Sequence, residues 1–226
     1  MADVGISAKR VRLDDPERTP LLVDHRFRDL LGKRAWSTLP EAVRRRFGKR
    51  MSGGASVVYQ GIVVAMRMNV AGFLLAQLAR LVGGPLPHDR SCLDQSAVVT
   101  VTEDCAGGGQ FWVRQYGRAA GFPQVIHSSK RFQGPTGIEE YLGTGIGMAL
   151  RVSAGSDAIV FRSAHYFLQL GAWRLRMPAW LQPGALTITH RDLGGAHFLF
   201  SLSLRSRLFG ELIHQDALFH DTEDLT

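Results

Sequence analysis

Residues 139–152 read EEYLGTGIGMALRV, with Gly143, Gly145 and Gly147 inside five positions. The reading of this stretch decides between two folds. A dinucleotide fingerprint, G-x-G-x-x-G, closes a strand and opens a helix, and would make the chain a doubly wound α/β protein. Here the spacing is G-x-G-x-G and position 148 is Met. The continuation MALRVSAGSD leads to a turn, so no helix N-terminus follows to receive a phosphate. The stretch therefore reads as a strand, with the three glycines on one face beside Glu139 and Tyr141. The opposite face carries Leu142, Ile146, Met148 and Leu150. Glycines in a strand need a reason: a sharp bend of the sheet, the close approach of a helix, or the floor of a ligand site.

Outward from this stretch the chain looks almost wholly β. Candidate strands cover 96–104, 110–117, 122–132, 138–152, 157–170, 184–192 and 196–205, separated by the Gly-rich turns AGGG (106–109), AGS (154–156) and LGG (193–195). Short turns force antiparallel neighbours, because a parallel return needs a long crossover. Before them, SVVYQGIVVAMRM (56–68) is rich in β-branched residues and predicts a strand. VAGFLLAQLARLV (70–82) predicts a helix that is apolar nearly all round, capped by Asn69 and stopped by Gly83-Gly84, and such a helix is usually buried. DHRFRDLLGKR and TLPEAVRRRFG predict a pair of short helices near the N-terminus. The tail LRSRLFGELIHQDALF fits a strand better than a helix. The fold class is α+β: a long, strongly curved, half-barrel-like antiparallel meander wrapped around a buried helix. Residues 1–20 read as a flexible arm and 21–226 as a single domain.

The formal charge of +7 is concentrated early, with 13 Lys/Arg against 7 Asp/Glu in residues 1–50, including RRRFGKR at 44–50. A solvated face explains this, and a contact with a membrane surface or an acidic partner is the sharper alternative. No zinc-finger, basic-zipper or RNA-recognition signature accompanies the charge, which argues against nucleic acid. Two cysteines, Cys92 and Cys105, fit neither a metal knuckle nor a redox pair, and read as thiols of a cytoplasmic protein. The N-terminus has no secretory apolar core. The eight histidines show no H-x-H or H-E-x-x-H spacing, so neither a metal nor any other cofactor is expected.

Candidate functional residues follow from the strand faces. Trp112, Arg114 and Tyr116 share one face of QFWVRQY. An arginine between two aromatic rings can be held by stacking and present its fork to a carboxylate or phosphate. The strand 157–170 aligns Ile159, Phe161, Ser163, His165, Phe167 and Gln169. A three-residue hairpin loop after position 192 sets His190 opposite Phe198, and so at the end of an apolar face, where burial would tune it as an acid or base. Glu139 (or Glu140) would be its carboxylate partner, or that of His165. The loop LRMPAWLQPG (175–184) exposes Met177, Trp180 and Leu181 as an apolar lip or lid.

Together FRDLLGKRAWSTLPEAVRRRF, FWVRQY, GTGIGM, YFLQLGAWRLRMPAWLQPG and LFGELIHQ resemble an uncharacterised bacterial domain-of-unknown-function family. Its members stand alone or follow a reductase module of the saccharopine-dehydrogenase-like or short-chain type. The resemblance implies a reductase as partner and assigns no chemistry. These residues contain no such module.

The expected function is binding of a hydrophobic or amphipathic small molecule in the concave side of the sheet. Cofactor-free acid/base conversion by His190, Glu139 and His165, such as isomerisation or cyclisation, would accompany it. Arg114, Trp112, Tyr116, Tyr141, Gly143, Gly145, Gly147 and Trp180 would contact the ligand. The alternative is a non-catalytic module that docks on a reductase or a membrane surface through the basic N-terminal helices and the 177–181 loop.

Overall fold

A computed structural model describes residues 22–52 and 55–221; the arm expected over 1–20 lies outside them. The elements run β1 (Leu22–Val23), α1 (Arg26–Leu31), α2 (Lys33–Thr38), α3 (Glu41–Phe47), β2 (Lys49–Arg50), β3 (Ser56–Met68), α4 (Val70–Ala79), β4 (Ser96–Asp104), β5 (Gly109–Tyr116) and β6 (Gln124–Arg131). There follow β7 (Glu139–Gly143), β8 (Ile146–Ala154), β9 (Ala158–Leu170), β10 (Trp173–Arg176), β11 (Ala185–Gly194), β12 (His197–Ser206) and β13 (Gly210–His220).

The sheet closes on itself. Strands β3 to β9 form an antiparallel meander, β9 pairs with β11, and β11, β12 and β13 continue the meander until β13 meets β3. The result is a ten-stranded antiparallel barrel, more complete than the expected half-barrel. Closure pairs both edges of a sheet whose strands twist too strongly to stay open at this number. The extra strand, β10, folds back on residues 167–170 of β9, while β11 occupies residues 158–162. The tail forms β13, as its alternation suggests.

The helix α4 corrects the expectation of a buried one. Only Gly72 and Ala76 are buried, and these small residues face β13, whereas Val70, Leu74 and Leu78 are exposed. The helix lies over one end of the barrel rather than inside a curled sheet. Asn69 caps it as predicted, its side chain accepting from the Gly72 amide at 2.7 Å. The other end is plugged by three short helices rather than a pair, because α2 forms between Gly32 and Pro40. Phe27 of α1 and Phe47 of α3 enter the core there, with ring centroids 6.0 and 5.7 Å from Phe161. The basic run 44–50 is in part internal: Arg46 and Lys49 are buried, and Arg46 pairs with Asp221 at 3.0 Å.

Three local readings change. The stretch 138–152 is a hairpin, not one strand. Thr144 and Gly145, the two central residues of the turn, have positive φ (46° and 77°), the conformation a two-residue hairpin turn demands, and Gly143 just before them has one as well (102°). Its Thr144 hydroxyl donates to the Val82 carbonyl at 3.2 Å, tying the turn to the segment just after α4. Gly143 ends β7 and Gly147 lies within β8, and what covers Gly147 is neither a helix nor free space: a Cβ there would come within 2.4 Å of the Phe167 ring. In β9, Ala149 faces His165 but Leu150 faces Ser163, which leaves Ala164 as a bulge. The extra residue reverses the alternation, so Phe161 and Tyr166 both point inward while His165 and Phe167 point out. In the β11–β12 hairpin, His190 faces Phe200, two residues from the expected Phe198, because the ladder continues to Asp192 before a bulge. A shift of two preserves the side, so Leu186, Ile188 and His190 are buried with Phe200, Leu202 and Leu204 as the apolar match requires.

Candidate functional site

The interior of the barrel is layered from plug to mouth. Along β5, Trp112 lies toward the plug, Arg114 at mid-height and Tyr116 toward α4, and all three are buried. Above Arg114 is a cavity of about 370 Å³. Its walls are Ile126, Leu142, Ile146, Met148, Leu186, Ile188, Leu202 and Leu204, with Tyr116 and Tyr166. Leu75, Leu78 and Val82 from α4 and the turn after it stand at the mouth, opposite Met177, Leu181 and Pro183. The two halves of the mouth therefore come from different ends of the sequence, α4 and the 175–184 loop. The apolar face Leu142, Ile146, Met148 read from the sequence is a cavity wall.

Polar groups converge at the floor. Arg114, Ser128 and Glu140 line it, and among the described residues Arg114 and Glu140 are the only charged ones in the lining. Arg114 Nη1 donates to Ser128 Oγ at 3.2 Å and Nη2 to Glu140 Oε1 at 3.3 Å. Ser128 Oγ donates to the same carboxylate oxygen at 2.6 Å, and Lys130 Nζ at 3.0 Å. Burial by itself pushes the Glu140 carboxyl up, but Lys130, Arg114 and the Ser128 hydrogen bond overcome it and hold the pKa at about 2. Burial also lowers Lys130, to about 8, against the pull of Glu140. Its Nζ sits 4.7 Å from the centroid of the Trp112 ring. Two cations against one carboxylate leave the floor with a net positive charge.

Below Arg114 is an aromatic cage. His190 is enclosed by Phe47, Trp112, Phe161, Phe198 and Phe200, with ring centroids 5.1 to 6.2 Å away. Burial first, then Arg46, Lys130 and Arg114, drive its pKa well below the ordinary value, so it is neutral. Its Nδ1 has no hydrogen-bond partner among the described residues. Residues of the cage leave a space of only about 10 Å³ beside it.

The other residues singled out in the sequence lie elsewhere. Glu139, Ala149 and His165 form a row across β7, β8 and β9 on the outer wall. There Glu139 is buried beneath β10, with Arg174 Nη1 donating to its Oε2 at 3.0 Å. The Tyr141 hydroxyl donates to the same carboxylate at 3.3 Å, and its ring meets Phe167 edge-on at 5.4 Å. His165 is half-buried, its pKa lowered by burial and by Arg176 and Arg174. The structure thus gathers Glu139, Tyr141 and His165 outside the barrel, Arg114 and Tyr116 on the cavity, and Trp112 and His190 beneath it. Gly143 and Gly145 are at the hairpin tip by the mouth, Gly147 is under Phe167, and Trp180 stands on the lip, 83% exposed.

Ser128 and Lys130 escaped the sequence reading. The alternation Ile126, Ser128, Lys130 along β6 was a usable signal, since an inward Arg114 on β5 requires polar partners on the strand beside it. Among the described residues no group of His, Cys, Asp and Glu could hold a metal ion, and no helix is long and apolar enough to cross a membrane.

Residues 39–219 match the model of a family described as a domain of unknown function (DUF4166), and the chain belongs to that family. Comparison with curated proteins and with solved structures gave no match.

Proposed function

We propose that the barrel binds a hydrophobic or amphipathic small molecule, with its apolar body in the cavity and its polar end on Arg114. The observation that supports this most is the segregation of the lining: aliphatic walls and lip, with every charge at one closed end. Ligand sites combine a mostly apolar concave surface with a few convergent polar groups in this way, at volumes of about 300–1,000 Å³. The net positive floor favours a ligand whose polar end is a carboxylate or an uncharged acceptor over an amine.

Binding without chemical conversion is the reading the geometry favours. The carboxylate on the cavity is held ionised, and His190 is neutral and separated from the cavity by Arg114. The test is titration with a fluorescent long-chain fatty acid, alongside native mass spectrometry of the freshly purified protein. Wild type is expected to bind the probe one to one. Met148→Trp, which fills the cavity, should abolish binding, and Arg114→Met should weaken it by about tenfold, the loss of one charge-assisted hydrogen bond. Equal binding by wild type and Met148→Trp would place the ligand elsewhere and defeat the proposal.

A further inference from the structure

We propose that the mouth of the barrel docks on an anionic lipid bilayer. Three separate segments bring apolar side chains to this end. They are α4 with Leu78, the 175–184 loop with Trp180 and Leu181, and the β12–β13 turn with Leu208 and Phe209. Leu208 and Trp180 are 86% and 83% exposed. A groove beside the cavity is lined by Leu75, Trp180, Pro183, Leu208 and Phe209, and Leu75 and Pro183 also line the cavity. The apolar surface is therefore continuous from the groove into the barrel.

The charge that lines it is basic. Among the described residues, Arg205 and Arg207 line the groove and no carboxylate does. Glu211, the nearest acid along the chain, is paired with Arg67 at 3.3 Å. Protruding aliphatic tips, a tryptophan and flanking arginines suit insertion at an interface between headgroups and acyl chains. A water-insoluble ligand would then pass from the bilayer to the cavity without crossing water. The proposal rests on the ligand reading only for that passage; contact with lipid stands on the rim itself.

The test is sedimentation of the full chain with vesicles of phosphatidylcholine alone and with one-third phosphatidylglycerol. Binding is expected to the anionic vesicles and to weaken with added salt. A Trp180→Ser/Leu208→Ser variant should bind about tenfold more weakly, and Arg205→Gln/Arg207→Gln should lose the preference for anionic lipid. Both pairs are exposed, so thermal melts should match wild type. No binding by wild type overturns the proposal. Equal binding by wild type and the serine variant does so too, since the basic N-terminal segment would then account for it. Fatty-acid titration of the same serine variant in solution keeps the two readings apart: a filled cavity with no vesicle binding removes only the docking surface.

Discussion

Lys130 and Glu140 face each other directly across the β6–β7 ladder, Nζ to Oε1 at 3.0 Å, and neither residue is more than 1% exposed. The pair is fixed by strand register, and Arg114 adds a second cation from β5. Removing only the carboxylate leaves two buried cations without a counter-charge. Glu140→Gln should therefore destabilise the fold by about 3–5 kcal/mol. The double variant Glu140→Gln/Lys130→Met should recover part of that loss, since one uncompensated charge goes. Urea unfolding of the two singles and the double measures the coupling, and additive effects would mean that the pair does not interact.

Acid should act on the same carboxylate. Its pKa is about 2 in the fold against 4.5 ordinarily, so the unfolded chain binds more protons between those values. Stability from Glu140 is complete above about pH 4.5 and is lost as pH falls toward 2, by about 3 kcal/mol in all. Lys130 works at the other end of the scale. At about 8 in the fold against 10.5 ordinarily, it should make stability rise with pH across that interval. Urea midpoints at a series of pH values should show both slopes in wild type and neither in the Glu140→Gln/Lys130→Met variant.

His190 is a cage residue, and its replacement by phenylalanine should be tolerated. The neutral ring sits among five aromatic side chains with Nδ1 unpartnered among the described residues, so the imidazole bears a desolvation cost that a phenyl ring does not. Phenylalanine is larger than imidazole, and the small space beside His190 limits the gain. We expect His190→Phe to melt within a few degrees of wild type and to bind the fatty-acid probe unchanged. His190→Asp, which buries a carboxylate in the cage, should unfold the protein at neutral pH unless Arg46 or Lys130 reaches it. A turnover lost in His190→Phe while folding and binding persist would instead return the residue to an acid/base role.

The β content was legible because strand alternation and Gly-rich turns are local. The bounds read for β4 were those observed, and β9, β11 and β12 were displaced by only a residue or two. Closure was not legible, since β13 pairing with β3 joins residues about 150 positions apart and leaves no local mark. Parity told more than register: the inward side of His190 followed from matching aliphatic faces, while the partner was missed by two. The bulge at Ala164 and the turn at Thr144-Gly145 show the converse. Each inserts a local irregularity that a strict period of two cannot express, and each moved a candidate residue to the wrong face or element. Thus His165 was placed beside Phe161 and ended outside the barrel, and three glycines in apparent register became a turn and a ring seat. Arg114 was legible as an arginine on the same face as Trp112 and Tyr116, but the stacking expected from those two rings gives way to hydrogen bonds with Ser128 and Glu140, partners that needed the strand order.

Gly147 supplies a final prediction, at the point where the hairpin reading replaced the strand reading. The residue faces Phe167 across the β8–β9 ladder, with the tip of the ring against it and the Arg174 guanidinium 3.7 Å from the ring centroid. A Cβ at 147 would lie 2.4 Å from the ring, too close for any contact. Phe167 is fully buried beneath β10 and has little room to move. Gly147→Ala should cost about 1–3 kcal/mol by overpacking. It should also loosen β10 before the barrel, since the displaced ring carries Arg174 and its bond to Glu139. Phe167→Leu should relieve the clash, so the double variant Gly147→Ala/Phe167→Leu should be more stable than the two single effects predict when added. Hydrogen exchange at residues 173–176 provides the local readout. If Gly147→Ala leaves exchange there unchanged, the ring and the β10 strand are not coupled as described. The hairpin turn is a separate case: Gly145→Ala strains a backbone at φ 77° and brings a Cβ to 2.2 Å from the Gln169 carbonyl, so leucine at 167 should not rescue it.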